Sequence, residues 1–416
     1  MAAGLLAARR LRGARGAGAD QRRRGGRHRR LAAVGPDGDL HRRRHPVDVT
    51  VRARVDALLA RCRREVDDGL LPSCQVALGL DGEIVAAAAF GDADDSTRYC
   101  LFSATKPLVA GVVWQLIAEG AVSVEAPVAE YVGEFGGDKA AVTVGHVMLH
   151  TGGFPHAPLG PDRWATSAGR REAFARWRLD WPPGTRFEYH PTSAHWVLAE
   201  VIAAATGNDC RDEVERRVTA PLGLGRLLGL DADAQAGIAE LELVGEHATA
   251  DELTAAFGVA ELPETEVTDE LILAFNEPAY RAVGVPGAGA YGTASDLAML
   301  YQALLHNPDG LWDADVLADA TSVVRNTLPD PLGVPANRSL GLILAGDDGL
   351  SNMRGLGRTV SRHAFGHNGA GGQLAWADPA TGLSLGYTTN GYDVHKVRQP
   401  RRDTAIGSLA GVCTQQ

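Results

Sequence analysis

Apolar positions recur at helical spacing soon after residue 48. In "DVTVRARVDALLARCRREVDDG", Val51, Val55, Leu58, Leu59 and Cys62 fall on one stripe, which predicts an amphipathic helix. "CQVALGLDGEIVAAAAFGD" then shows two β-rich runs around Asp81-Gly82, a dipeptide suited to a two-residue hairpin turn at positive φ. From Ser103 to Glu119 the helical spacing returns through Leu108, Val109, Val112, Val113, Leu116 and Ile117. Apolar positions this dense predict a helix enclosed on most sides. Pro107 marks its start, because only the first turn can spare an amide hydrogen. Ser103 therefore belongs at or just before that turn.

Residues from about 120 to 285 read as mostly helical with long loops. "TSAHWVLAEVIAAATGN" ends in a glycine suited to a helix C-terminus, and "TASDLAMLYQALLHNPDG" opens another helix with Ser295 as N-cap. Strands return in "SLGLILAG", "GGQLAWAD" and "GLSLGYTTN", the last two joined by a short turn after Asp378. Strands near both ends with helices between predict one sheet assembled from the two ends of the chain.

The composition, 45% hydrophobic and 22% charged over 416 residues, suits a globular protein with a sizeable core. The net charge of -10 hides a split, since residues 1–45 hold thirteen arginines against three aspartates. "RRLRGARGAGADQRRRGGRHRR" has too few large apolar residues to offset chain entropy and reads as a disordered tail. Its arginines would hold phosphates in a salt-sensitive way. A tail without function, or an upstream region translated from a misplaced start, is the plainer reading, so nucleic acid is not an expected partner. Nothing approaches the roughly eighteen apolar residues of a membrane span, and "MAAGLLAA" is too short for an export signal. Five scattered cysteines without a C-x-x-C pair fit free thiols in a reducing compartment, so a cytoplasmic protein with no metal or other cofactor is expected.

Against this background Lys106 stands out, as one of three lysines in the chain. A desolvated lysine can lose its proton, whereas a guanidinium keeps it. Ser103 lies three residues earlier, so on a helix the two side chains share a face. The lysine can then take the serine's proton, and the helix dipole favours negative charge on the serine oxygen. With thirteen serines and three lysines, chance supplies roughly 0.1 such S-x-x-K pairs. The bland alternative is a capping serine and a snorkelling lysine.

Two further stretches carry candidate chemistry. In "WPPGTRFEYHPTSAHW" a rigid Pro-Pro-Gly loop delivers Tyr189 just before a helix. Tyr189 is either a packed aromatic or, if its hydroxyl meets Lys106, a phenolate general base. In "FGHNGAGGQLAWADPATGLSLGYTTN" the glycines let something approach the backbone, and His367 is either structural or lines a pocket whose amides bind an oxyanion. The run precedes a strand and so is not a nucleotide-binding loop.

Together, "SATK", the "HTGG" at 150–153, "PGTRFEY" and "GHNGAGG…DPATGLSLGYTTN", in this order, resemble the serine β-lactamase-like family of class C β-lactamases, D-alanyl-D-alanine carboxypeptidases and family VIII carboxylesterases. The resemblance covers about residues 50 to 395. It implies an α+β fold, an antiparallel β-sheet flanked by helices with an inserted all-helical region. The tail would occupy 1–45 and the hydrolase domain 46–416, its sheet part about 46–120 and 286–416 and its helical region about 121–285. It further implies Ser103 as acylated nucleophile, Lys106 as proton acceptor or electrostatic partner and Tyr189 as second base. His367 opens the third motif, and the amide of Ala370, after Gly369, joins that of Ser103 in an oxyanion hole.

The departures bear on substrate. Lactamases and carboxypeptidases usually have asparagine where Pro191 stands and lysine where His367 stands. Loss of the amide and of the permanent charge weakens recognition of β-lactams and D-alanyl peptides, with Arg354 or Arg362 as candidates to replace the charge. A neutral ester needs neither. The expected function is a carboxylesterase, also an acyltransferase where an alcohol accepts the acyl group, acting on a small-molecule ester or amide substrate. The alternatives are a β-lactamase or D-amino-acid-specific peptidase, and a catalytically inactive homologue that binds a ligand or partner.

Overall fold

The stripe at 51–62 folds as α1 (Val49–Asp67), burying Leu58, Cys62 and Glu65 and leaving its polar face to solvent. This computed structural model describes residues 49–262 and 268–414, so the expectation of a disordered tail over 1–45 lies outside the described residues. Strands β1 (Ser73–Leu80) and β2 (Glu83–Gly91) follow, with Asp81 and Gly82 at φ 52° and 77°, as a tight hairpin turn of this handedness requires.

The main sheet adds β3 (Ile343–Leu344), β4 (Phe365–Gly366), β5 (Leu374–Asp378) and β6 (Leu383–Thr389). Its order is β2-β1-β6-β5-β4-β3, antiparallel throughout, and the two ends of the chain meet where Cys74 pairs with Thr389 and Leu78 with Leu385. "SLGLILAG" contributes only two residues of strand. Side chains alternate between the faces as period two demands. Cys74, Val76, Leu78, Leu374, Trp376, Leu385 and Tyr387 form one core layer with α1 and with α5 (Arg398–Gly411) through Ile406 and Ala410. Ala77 faces the other way, onto Ala294 and Ala298 of α4 (Ala294–His306). That helix is capped by Thr293 with Asp296 in a reciprocal capping box, rather than by Ser295, because the threonine hydroxyl is placed to accept the Asp296 amide.

The larger core surrounds α2 (Lys106–Ala118), where every residue but Gln115, Ile117 and Ala118 is buried. Pro107 sits in its first turn. Indole N–H groups from Trp114 and Trp312 donate to the carbonyls of Leu340 and Gly111, fixing α2 against the chain that leads into β3. Helix α3 (Ser193–Thr206) packs on α2 and ends at Gly207 in the left-handed conformation. Among the described residues, no helix is long and apolar enough to cross a membrane.

Candidate active site

Ser103 lies in a short 3-10 turn, Phe102–Thr105, that runs directly into α2. Phe102 holds φ 44°, a strained value for a bulky residue that costs roughly 1–3 kcal/mol. Its ring is pinned edge-on by Phe275 and Tyr392, at 5.5 and 6.0 Å between centroids. The turn is tied to the chain entering α4, since Leu101 N–H donates to Ala290 C=O at 2.9 Å and Ala290 N–H to Thr105 Oγ1 at 3.0 Å.

Lys106 is buried, with Nζ 3.2 Å from Ser103 Oγ and 2.8 Å from each of the carbonyls of Pro191 and Gly287. Burial, reinforced by the charge of Arg338, pushes the amine well below the ordinary lysine range. A neutral amine has two N–H donors and one lone pair. Donating to both carbonyls leaves the lone pair for the Ser103 hydroxyl. Gly287 makes this possible, because a Cβ there would lie 3.2 Å from Lys106 Nζ and 3.1 Å from the Pro191 carbonyl.

Tyr189 completes the group, donating its hydroxyl to Ser103 Oγ at 2.9 Å. The hydroxyl meets the serine, and Lys106 Nζ instead stands 5.0 Å from the ring centre. Burial pushes the phenol up to about 12, against the opposing pull of Arg338 and of the Ser103 hydrogen bond. Tyr189 therefore rests protonated, and the phenolate that an adjacent ammonium would stabilise is not the resting form.

The "HTGG" segment is a brace for this tyrosine. His150 C=O accepts from Glu188 N–H at 3.3 Å and its Nδ1 from His190 N–H at 3.2 Å, so the residues on both sides of Tyr189 are held. His150 itself adopts φ 56°, and its ring lies 4.7 Å from that of Tyr189. Three residues further, Gly153 C=O accepts from Asp180 N–H at 2.7 Å and anchors the Pro-Pro-Gly loop.

On the sheet side, His367–Gln373 connects β4 to β5, so His367 follows a strand rather than opening one. His367 Nδ1 faces the Asn368 carbonyl at 3.0 Å and Nε2 faces an Arg338 N–H at 3.4 Å. A carbonyl only accepts and a guanidinium only donates, so Nδ1 carries the proton and the ring is neutral. Burial, with Arg338 and Lys106 nearby, keeps it well below the usual imidazole range. Gly369 is pressed against the turn that carries Ser103, since a Cβ on it would lie 2.2 Å from the Leu101 carbonyl oxygen. Ala370, half-buried, starts the tight turn Ala370–Gly372 that follows.

Arg354 and Arg362 do not supply the missing charge. Arg354 is committed to Asp348 and to the carbonyls of Pro335 and Ala345, and Arg362 is exposed beside His363. The buried Arg338 lies beside His367 instead, its guanidinium 5.1 Å from the Tyr189 ring centre and 5.4 Å from that of Phe187. Sequence reasoning missed it, and "PANRSLGL" has no local signal to reveal it. Gly287 was legible in principle, in the glycine-rich "GVPGAGAYG".

A serine hydroxyl between an amine and a phenol, at the join of a sheet and a helical region, is the arrangement of a serine hydrolase. The chain belongs to the beta-lactamase family, whose model matches residues 51–408. It is 29% identical to "Esterase/beta-lactamase LipL" of Mycobacterium tuberculosis (strain ATCC 25618 / H37Rv), over 70% of this chain and 68% of that protein. It is 29% identical to "Esterase EstB" of Burkholderia gladioli, over 65% of this chain and 74% of that protein. Among solved structures, a family VIII carboxylesterase superposes with a TM-score of 0.69 at 26% identity, covering 86% of this chain and 97% of the other.

Proposed function

We propose that this protein is a carboxylesterase working through an acyl-enzyme on Ser103, and that the shared contact of Lys106 and Tyr189 on Ser103 Oγ carries this reading. Neutral Lys106 takes the Ser103 proton as Oγ attacks the ester carbonyl. The amides of Ser103 and Ala370 hold the oxyanion, a role supported by the close approach of Gly369 to the Leu101 carbonyl. As the ester C–O bond breaks, Tyr189 gives its proton to the departing alkoxide and regains one from the Lys106 ammonium. Water then attacks the acyl-enzyme with the roles reversed, and an alcohol in place of water gives acyl transfer.

The substrate reading is a small neutral ester. Pro191 presents a carbonyl that Lys106 already occupies, and His367 is neutral, so neither offers what an amide-and-carboxylate substrate requires. The names of both curated relatives contain the word esterase, and one also contains beta-lactamase, so β-lactam hydrolysis is the second reading. Retention of the three-residue contact argues against an inactive binding homologue. Five buried free cysteines support a cytoplasmic location.

The test is hydrolysis of p-nitrophenyl butyrate by wild type and Ser103→Ala, with the pre-steady-state burst recorded. A burst followed by turnover in the wild type, absent from the variant, is the expected result. Equal rates in both would sink the proposal, and faster turnover of nitrocefin than of the ester would favour the second reading.

A further inference from the structure

Arg338 is a buried cation at the centre of the site, and among the described residues no carboxylate pairs with it. Its guanidinium lies over two aromatic faces, Tyr189 and Phe187, and donates toward His367 Nε2. Its backbone is fixed independently: Arg338 N–H donates to Asn326 C=O, and Arg338 C=O accepts in return from the N–H groups of Arg325 and Asn326. Asn326 in turn donates from its side chain to the carbonyl of Leu149, the neighbour of His150. A guanidinium held this rigidly without a counter-ion imposes its charge on whatever surrounds it.

Resting on the esterase reading above, we propose that Arg338 is a positioning residue: the fixed positive charge that keeps Lys106 free to accept the Ser103 proton and holds the Tyr189 ring in place, without touching substrate. Several groups face this pair. Lys106 is surrounded by Ser103, the Pro191 and Gly287 carbonyls, the Tyr189 ring and the imidazole of His195. Tyr189 is faced by Lys106, His150, His367, Ser103 and Arg338. The imidazoles of His150, His195 and His367 are all pushed well below their usual range, chiefly by burial, so they carry no charge at neutral pH. Once Lys106 is neutral, Arg338 is therefore the permanent charge among these groups. It acts in one direction on all of them, disfavouring a proton on Lys106 and favouring a more acidic phenol on Tyr189.

The cation–π contact also accounts for how the site tolerates His367 in the third motif. The charge arrives from the segment before β3 instead of from the turn after β4, and the imidazole serves as acceptor for it. Such contacts gain strength when desolvated, as here.

The decisive experiment is the pH dependence of kcat and kcat/KM for p-nitrophenyl butyrate in wild type, R338Q and R338K. The expected result is that R338Q moves the acid limb to higher pH by about one to three units, with kcat/KM at pH 7 reduced about tenfold or more, while KM for this uncharged ester stays within about twofold. R338K, which keeps a charge, returns the limb most of the way. Arg338→Ala with added guanidinium chloride offers a second route, and restoration of the acid limb by the free cation supports the same conclusion. An unmoved limb in R338Q, an equal shift in R338Q and R338K, or a change confined to KM would overturn it. The readings separate cleanly: ester turnover lost in Ser103→Ala leaves the esterase mechanism standing whatever the Arg338 variants do, and equal rates in wild type and Ser103→Ala remove both.

Discussion

Pro191 donates nothing, yet its carbonyl oxygen lies 2.8 Å from Lys106 Nζ and directs the amine at Ser103. The position that in related lactamases presents a side-chain amide to substrate here contributes through its main chain. The contact depends on backbone path, not on the side chain. Pro191→Ala should therefore keep kcat/KM for p-nitrophenyl butyrate within about threefold, since proline's own contribution there is mainly to stiffen the chain. A loss of a hundredfold or more would show that the proline ring itself shapes the site.

Lys106→Arg is the sharper change. A guanidinium does not surrender its proton at working pH, so the variant should lose about 10² to 10⁴ in kcat, the usual contribution of a positioned base. Lys106→Met should lose a similar factor. Burst kinetics on purified protein check both, and near-wild-type turnover in Lys106→Arg would exclude the amine as base.

Lys106 also has a signature in stability. Its amine is depressed in the folded state, so between that lowered value and the ordinary lysine value the unfolded chain binds more protons. Stability therefore rises with pH through this window, and the cost of burying Lys106 is greatest at its acid end. The Tm difference between Lys106→Met and wild type should become more favourable to the variant as pH falls from about 10 toward neutrality. Calorimetry across that range decides it, and a constant difference would contradict the depressed amine.

Gly369→Ala tests how closely the sheet approaches the nucleophile. The added methyl would sit 2.2 Å from the Leu101 carbonyl and 2.9 Å from Gln373 Cβ, so the turn after β4 must move away from Ser103. A displacement on the order of 1 Å can cost about 10² in rate. The variant should fold, with its burst slowed by about that factor. An unchanged acylation rate would mean that this turn does not contribute to oxyanion binding.

His367→Lys would place an ammonium against the Arg338 guanidinium, now 3.4 Å from Nε2. Two like charges about 4 Å apart repel by roughly 4 kcal/mol at an effective dielectric of 20. Restoring the lactamase residue alone should therefore lower Tm and ester turnover and should not create β-lactam hydrolysis. Adding Arg338→Met should recover much of the stability. Thermal melts of the single and double variants measure both effects.

Much of the scaffold was written in local pattern. The helical stripe of α1, the Asp81-Gly82 turn and the enclosed α2 with Pro107 in its first turn follow from spacing and backbone chemistry, which neighbouring residues determine among themselves. Ser103 and Lys106 were legible for the same reason, because one helical turn places them together whatever surrounds them. The N-cap of α4 was misplaced by two residues, since Ser295 and Thr293 are both chemically able and only the chain's entry angle selects between them.

What tertiary structure alone decided is electrostatic and distant in sequence. The carbonyls that orient Lys106 come from positions 191 and 287, and the charge that biases it from 338. His150 became a brace for Tyr189, 39 positions later, through hydrogen bonds to the amides of residues 188 and 190. Spacing along the chain encodes which residues share a helix face or a turn. It does not encode which buried cation ends without a counter-ion, because that depends on desolvation and on partners brought in from everywhere else in the fold.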